Sequence, residues 1–71
     1  MNIKQIEWIL RKALLLIETY KGRILTDREY SEMAQYVKNT VEESHGNTYC
    51  RKILIDVLEC FDREAKRNKG R

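Results

Sequence analysis

Seventy-one residues make one domain around one core and leave no room for a second. At that size a hydrophobic core is expected to supply only roughly 3–5 kcal/mol, so a partner or self-association is expected to add to it. Charged residues make up 35% of the chain, the net charge is +3, and there are three glycines and no proline. This composition excludes collagenous and largely disordered chains and suits helices with two internal breaks.

The first helix is predicted over residues 3–20. Asn2 stands at its N-cap with Gln5 three positions on, and Gly22 supplies the left-handed geometry that closes a helix, beside Lys21. The second is predicted over 27–44 from a Thr26-x-x-Glu29 capping box. Its apolar stripe is Tyr30, Met33, Ala34, Val37 and Val41, and it stops before Gly46 and Asn47. His45, at its end, reads as a capping residue. The third is predicted over 49–66 behind Thr48 as N-cap. Ile53, Leu54, Val57, Leu58, Phe61 and Ala65 form its wide apolar face, together with Cys50 and Cys60 as small buried side chains of a reducing compartment. Ten residues of helix separate the two thiols by about 15 Å, which excludes an internal disulfide.

Residues 67–71 have no apolar side chain to bury and read as a flexible basic tail on a domain of residues 1–66. Short connections between amphipathic helices favour antiparallel neighbours. The expected fold is therefore all-α, a small three-helix bundle with up-down-up topology, as a monomer or a homodimer. The rival arrangement is a helical hairpin whose third helix is exchanged into a dimer.

At about 100° per residue, Ile3, Ile6, Ile9, Leu10, Ala13, Leu14, Leu16, Ile17 and Tyr20 share one broad arc of the first helix, read as its core face. Trp8 and Leu15 fall on the other side among Lys4, Arg11 and Lys12. This second stripe makes Trp8, Arg11, Lys12 and Leu15 the candidate protein-binding residues, because aromatic and Arg side chains dominate binding hot spots. The plainer alternative is a first helix buried on both sides. Tyr36 and Ile55 are weaker apolar outliers of the other two helices.

Charge is uneven. The middle of the chain is acidic, with Asp27, Glu29, Glu32, Glu42 and Glu43 against Arg28 and Lys38, whereas the end carries Arg63, Lys66, Arg67, Lys69 and Arg71. These five, with Lys4, Arg11 and Lys12, are candidate phosphate contacts for salt-dependent nucleic-acid binding. Sequence-specific reading by a helix-turn-helix is disfavoured, because Tyr49, Cys50 and Ile53 at the start of the third helix are wanted in the core.

Catalysis has little to build on. The single His45 has no evident way to pair with a thiol on an apolar face, and the cysteines lack the close spacing of a zinc site. No glycine-rich loop cradles a phosphate, and Glu42-Glu43 and Asp56-Glu59 read as solvated charge. No metal, cofactor or small-molecule substrate is expected. No run approaches the ~18 apolar residues of a membrane span, and no export signal opens the chain, so a cytoplasmic location without a membrane partner is expected. The functional expectation is a non-catalytic protein-binding module, an adaptor, inhibitor or modulator of a larger protein or of itself, with a small nucleic-acid-binding regulator as the alternative.

Overall fold

Each helix begins and ends where its sequence satisfies the free backbone groups. The computed structural model describes residues 2–69, with side chains through Arg67, and among these the elements are α1 (Ile3–Tyr20), α2 (Asp27–Glu43) and α3 (Thr48–Lys69), with no strand. The Asn2 side chain accepts from the Gln5 amide at 2.8 Å. Thr26 and Glu29 close a reciprocal capping box: the Glu29 amide donates to Thr26 Oγ1 at 3.2 Å, and the Thr26 amide donates to the Glu29 carboxylate at 3.1 Å. That backbone bond is the main reason the Glu29 carboxyl lies below its ordinary range; partial desolvation opposes it, and the paired Arg23 guanidinium assists. Leu25, just before the cap, and Tyr30, in the first turn, both pack on the core and fix the angle at which the chain enters α2.

The α2–α3 connection is the tightest turn. The Gly46 amide donates to the Val41 carbonyl at 2.9 Å and the His45 amide to the Glu42 carbonyl at 3.0 Å, the paired bonds of a Schellman ending. The position that usually holds glycine there is His45, at φ 59°, followed by Gly46 at φ 73°. Asn47 then caps α3, its Oδ1 accepting from the Cys50 amide at 3.0 Å. The N-cap is thus Asn47 rather than the expected Thr48, which forms the first turn instead. At the other end α3 runs past Lys66 to Lys69, so the expected tail is helical as far as the description reaches, and Gly70 and Arg71 lie outside the described residues.

The three helices pack pairwise into a bundle of 43 × 19 × 18 Å. Gln5 and Trp8 line one depression with Glu43, Ser44 and His45, whereas Ile17 lines another with Phe61, so α1 and α2 are antiparallel and α1 and α3 run the same way. The core is Ile9, Ala13 and Leu16 from α1, Met33 and Val37 from α2, and Cys50 and Leu54 from α3. Among the described residues two polar side chains share it. Thr40 donates to the Tyr36 carbonyl at 2.8 Å and Ser44 to the Val41 carbonyl at 2.7 Å, so each is satisfied by its own helix.

Several expected core positions lie outside. On α1 the buried stripe is only the part of the broad arc around Ile9, Ala13 and Leu16, whereas Ile3, Leu10 and Leu14 are 79%, 47% and 53% exposed. On α2 Ala34 is exposed, and Tyr36 turns inward instead. On α3 Cys60 is exposed while Cys50 is fully buried. On α1 and α3 a helix touching two neighbours buries a stripe of roughly 100° and the wider apolar arc overruns it, whereas on α2 the buried face is turned from Ala34 toward Thr40 and Tyr36.

A left-handed backbone costs a residue with a Cβ roughly 1–2 kcal/mol, so His45→Gly is expected to stabilise the fold by up to about 1 kcal/mol after glycine's greater unfolded-state entropy is set against it. Urea denaturation of the two proteins checks this; an unchanged or lower midpoint would show that the His45 side chain contributes more than its backbone costs.

Candidate functional site

The four residues that the sequence marks for protein binding divide between two surroundings. Trp8 is half-buried and packs against the core. Lys12 lies over its ring, with Nζ 5.5 Å from the centroid, a cation–π contact that shields the outer face of the indole. One turn of bundle further along, the Tyr36 hydroxyl donates to the Lys12 carbonyl at 2.8 Å and ties α2 to α1. Trp8, Lys12 and Tyr36 therefore form the closed seam between α1 and α2. Arg11 and Leu15 remain on the open side, with Leu15 52% exposed.

Burial pushes the Tyr36 phenol above its ordinary value, with the Glu43 carboxylate adding to the shift and the Thr40 hydroxyl opposing it. A phenol that holds its proton more tightly in the folded chain stabilises the fold fully below the unfolded value and loses that contribution as pH rises through the folded one.

The open side of α1 carries more apolar surface than the sequence reading assigned to it. Ile3, Ile6, Leu10 and Leu14 line a shallow depression with Glu7 and Arg11 on its edge. Glu7 and Arg11 form an i,i+4 ion pair at 3.5 Å along that edge, largely solvated. Further along α1, Ile17 lines a separate groove between α1 and α3 of about 390 Å³, walled by Ile53, Val57, Cys60 and Phe61. Lys21, Asp56 and Glu64 stand at its mouth. The signal that marks this face in the sequence is the width of the α1 arc, too broad for the neighbours available.

The basic candidates are not gathered into one surface. Arg63, Lys66 and Arg67 are exposed near the end of α3, and Lys66 pairs with Asp62 at 3.0 Å. The Lys69 side chain and Arg71 lie outside the described residues. Lys4 and Arg11 stand toward the opposite end, since α1 and α3 run in the same direction. Among the described residues no group of three or more His, Cys, Asp or Glu side chains is placed to hold a metal ion. No buried side-chain nitrogen or oxygen among them lacks a hydrogen-bond partner, and no helix is long and apolar enough to cross a membrane.

Comparison with protein-family models, with curated proteins and with solved structures finds no match to this chain.

Two expected outcomes test the seam. Trp8→Ala should lower stability by about 2 kcal/mol, less than the roughly 3–5 kcal/mol of a fully buried aromatic, with helicity retained at low temperature; a variant as stable as the parent would place Trp8 outside the packed seam. Tyr36→Phe should cost about 1 kcal/mol at neutral pH, the net worth of one hydrogen bond. The parent should lose stability above about pH 10, the ordinary phenol range, more steeply than Tyr36→Phe. Urea titrations at pH 8 and pH 11 measure both, and equal losses in the two proteins would remove the assignment to Tyr36.

Proposed function

We propose that this chain is a small non-catalytic protein-binding module, an adaptor, inhibitor or modulator of a larger protein, that acts by presenting the outer face of α1. One observation carries the reading. Of the eleven apolar side chains in α1, only Ile9, Ala13 and Leu16 are buried, while Ile3, Leu10 and Leu14 stand exposed on one contiguous side and Leu15 stands exposed across the charged edge from them. Scattered surface leucines need no explanation, but a continuous apolar stripe with a charged edge has the make-up of a contact surface. Arg11 borders the stripe, and Leu15 flanks it across Arg11, so both candidates left on the open side belong to the same proposed surface.

Docking there is driven by removal of Leu10, Leu14 and their neighbours from water, roughly 25 cal/mol per Å² of apolar area, with Glu7 and Arg11 at the solvated edge giving orientation. The cytoplasm is the compartment we propose for it, since two free thiols, one of them exposed, suit a reducing environment.

The reading is tested by placing a photoreactive amino acid at position 14 or position 8 and irradiating each folded variant in nuclease-treated lysate of the source cell. Position 14 is expected to give a discrete protein adduct, and position 8 much less, because its side chain lies in the α1–α2 seam. Adducts from neither position, with the far-ultraviolet spectrum of the parent retained, would overturn the proposal.

A further inference from the structure

The same α1 face has an internal symmetry that selects its occupant. Its apolar residues are Ile3, Ile6, Leu10, Leu14 and Ile17, and their positions mirror one another about Leu10: Ile3 with Ile17, Ile6 with Leu14, and Leu10 with itself. Two copies of α1 laid antiparallel across a two-fold axis at Leu10 therefore match apolar side chains along the whole stripe, about 21 Å at 1.5 Å per residue.

A two-fold axis perpendicular to the helices also brings the same flank of each into apposition. That flank is the charged edge. Glu7 of one copy then faces Arg11 of the other, and Lys4, further round, faces Glu18, each pair two residues, about 3 Å, from level and within reach of side chains of this length. Opposite charges meet at both places, and the two Arg11 side chains, themselves about 3 Å apart in level, are each flanked by a Glu7 carboxylate of their own copy and one of the other.

Shape repeats the match. Ile3, 79% exposed, is the most prominent apolar side chain on α1, and its counterpart position in the pairing is Ile17, at the head of the α1–α3 groove. One copy thus offers a projecting side chain where the other offers a recess between Val57 and Phe61.

The surface area is of the right order. The chain exposes 5656 Å², whereas a compact monomer of 8.5 kDa exposes about 4,700 Å². Part of the surplus is the polar end of α3, but a standard interface hides about 800 Å² per partner, and the α1 stripe is where apolar surface is concentrated.

We propose that the α1 face is occupied by a second copy of this chain, forming an antiparallel α1–α1 homodimer with its two-fold axis at Leu10. The proposal rests on the reading of this face as a docking surface and names the partner. Dimerisation makes the α1 stripe part of a second core shared by two subunits, while Arg63, Lys66 and Arg67 on α3 stay outside it.

Sedimentation equilibrium of the full chain is expected to give twice the monomer mass at micromolar concentration. Leu10→Glu sets two like charges on the axis and should weaken association at least tenfold while leaving the helical spectrum of the monomer unchanged, since Leu10 is not a core residue. Glu7→Arg should weaken it several-fold, and adding Arg11→Glu should restore it. Direction is read by cross-linking in a Cys60→Ser background. Leu10→Cys should oxidise to a disulfide-linked dimer, and Ile3→Cys should link to Ile17→Cys in a mixture but not to itself. Self-linking of Ile3→Cys, or a monomer at every concentration to about 1 mM, overturns the proposal. In that event a discrete adduct from position 14 to a different protein keeps the docking surface and discards the homodimer, whereas its absence discards both.

Discussion

Among the described residues seven apolar side chains are buried, and no helix supplies more than three of them. An isolated helix of 17 to 22 residues is marginal in water, so each of these helices is held in place by faces that only the other two can cover. The remaining features of the chain accommodate that shared dependence. The capping box at Thr26 and the Schellman turn at His45 and Gly46 reduce the backbone cost of bringing the faces together. Thr40 and Ser44 enter the core with their hydroxyls already bonded within α2, so neither requires anything of a neighbouring helix. Tyr36 adds one hydrogen bond that crosses between helices, placed at the seam where α1 has Trp8 rather than an aliphatic side chain.

Much of this was legible from local chemistry. Asn2, Thr26 with Glu29, and Gly22 mark the ends of α1 and the start of α2 because capping depends on side chains within a few residues of the groups they satisfy. The third cap is ambiguous in the sequence: Asn47 and Thr48 are both competent, and the choice of Asn47 depends on how tightly the Schellman turn closes before them. The end of α3 is not marked in the sequence, because residues 67–69 carry no apolar side chain yet break no helical rule.

Side-chain burial on α1 was less legible, and the reason is geometric. Helical periodicity gives the direction in which a helix is most apolar, but it does not state where two neighbours will sit within an arc of about 160°. The neighbours took the edge that holds Ile9, Ala13 and Leu16. Trp8 and Lys12 were thereby drawn toward α2, and Leu10, Ile3 and Leu14, at the opposite edge of the arc, were left outside. Thr40 escaped notice for the opposite reason, since a hydroxyl bonded to its own helix behaves as an apolar residue when the face it occupies is counted by polarity alone.

What remains exposed on α1 follows from the same constraint. A third helix can cover only one flank of α1 once α2 has taken the other, so an arc of this width keeps an uncovered sector in any three-helix arrangement. A fourth helical surface is the geometrically natural way to cover it, and the nearest supply of a matching one is α1 itself, whose stripe reads the same from either end about Leu10. The ion pair between Glu7 and Arg11 lowers the cost of approach, because the edge is already neutral as a unit and each member is largely solvated before association. In the proposed dimer, association would exchange partners along the edge more than it would strip water from isolated charges. Its driving force is the burial of Ile3, Leu10, Leu14 and Ile17.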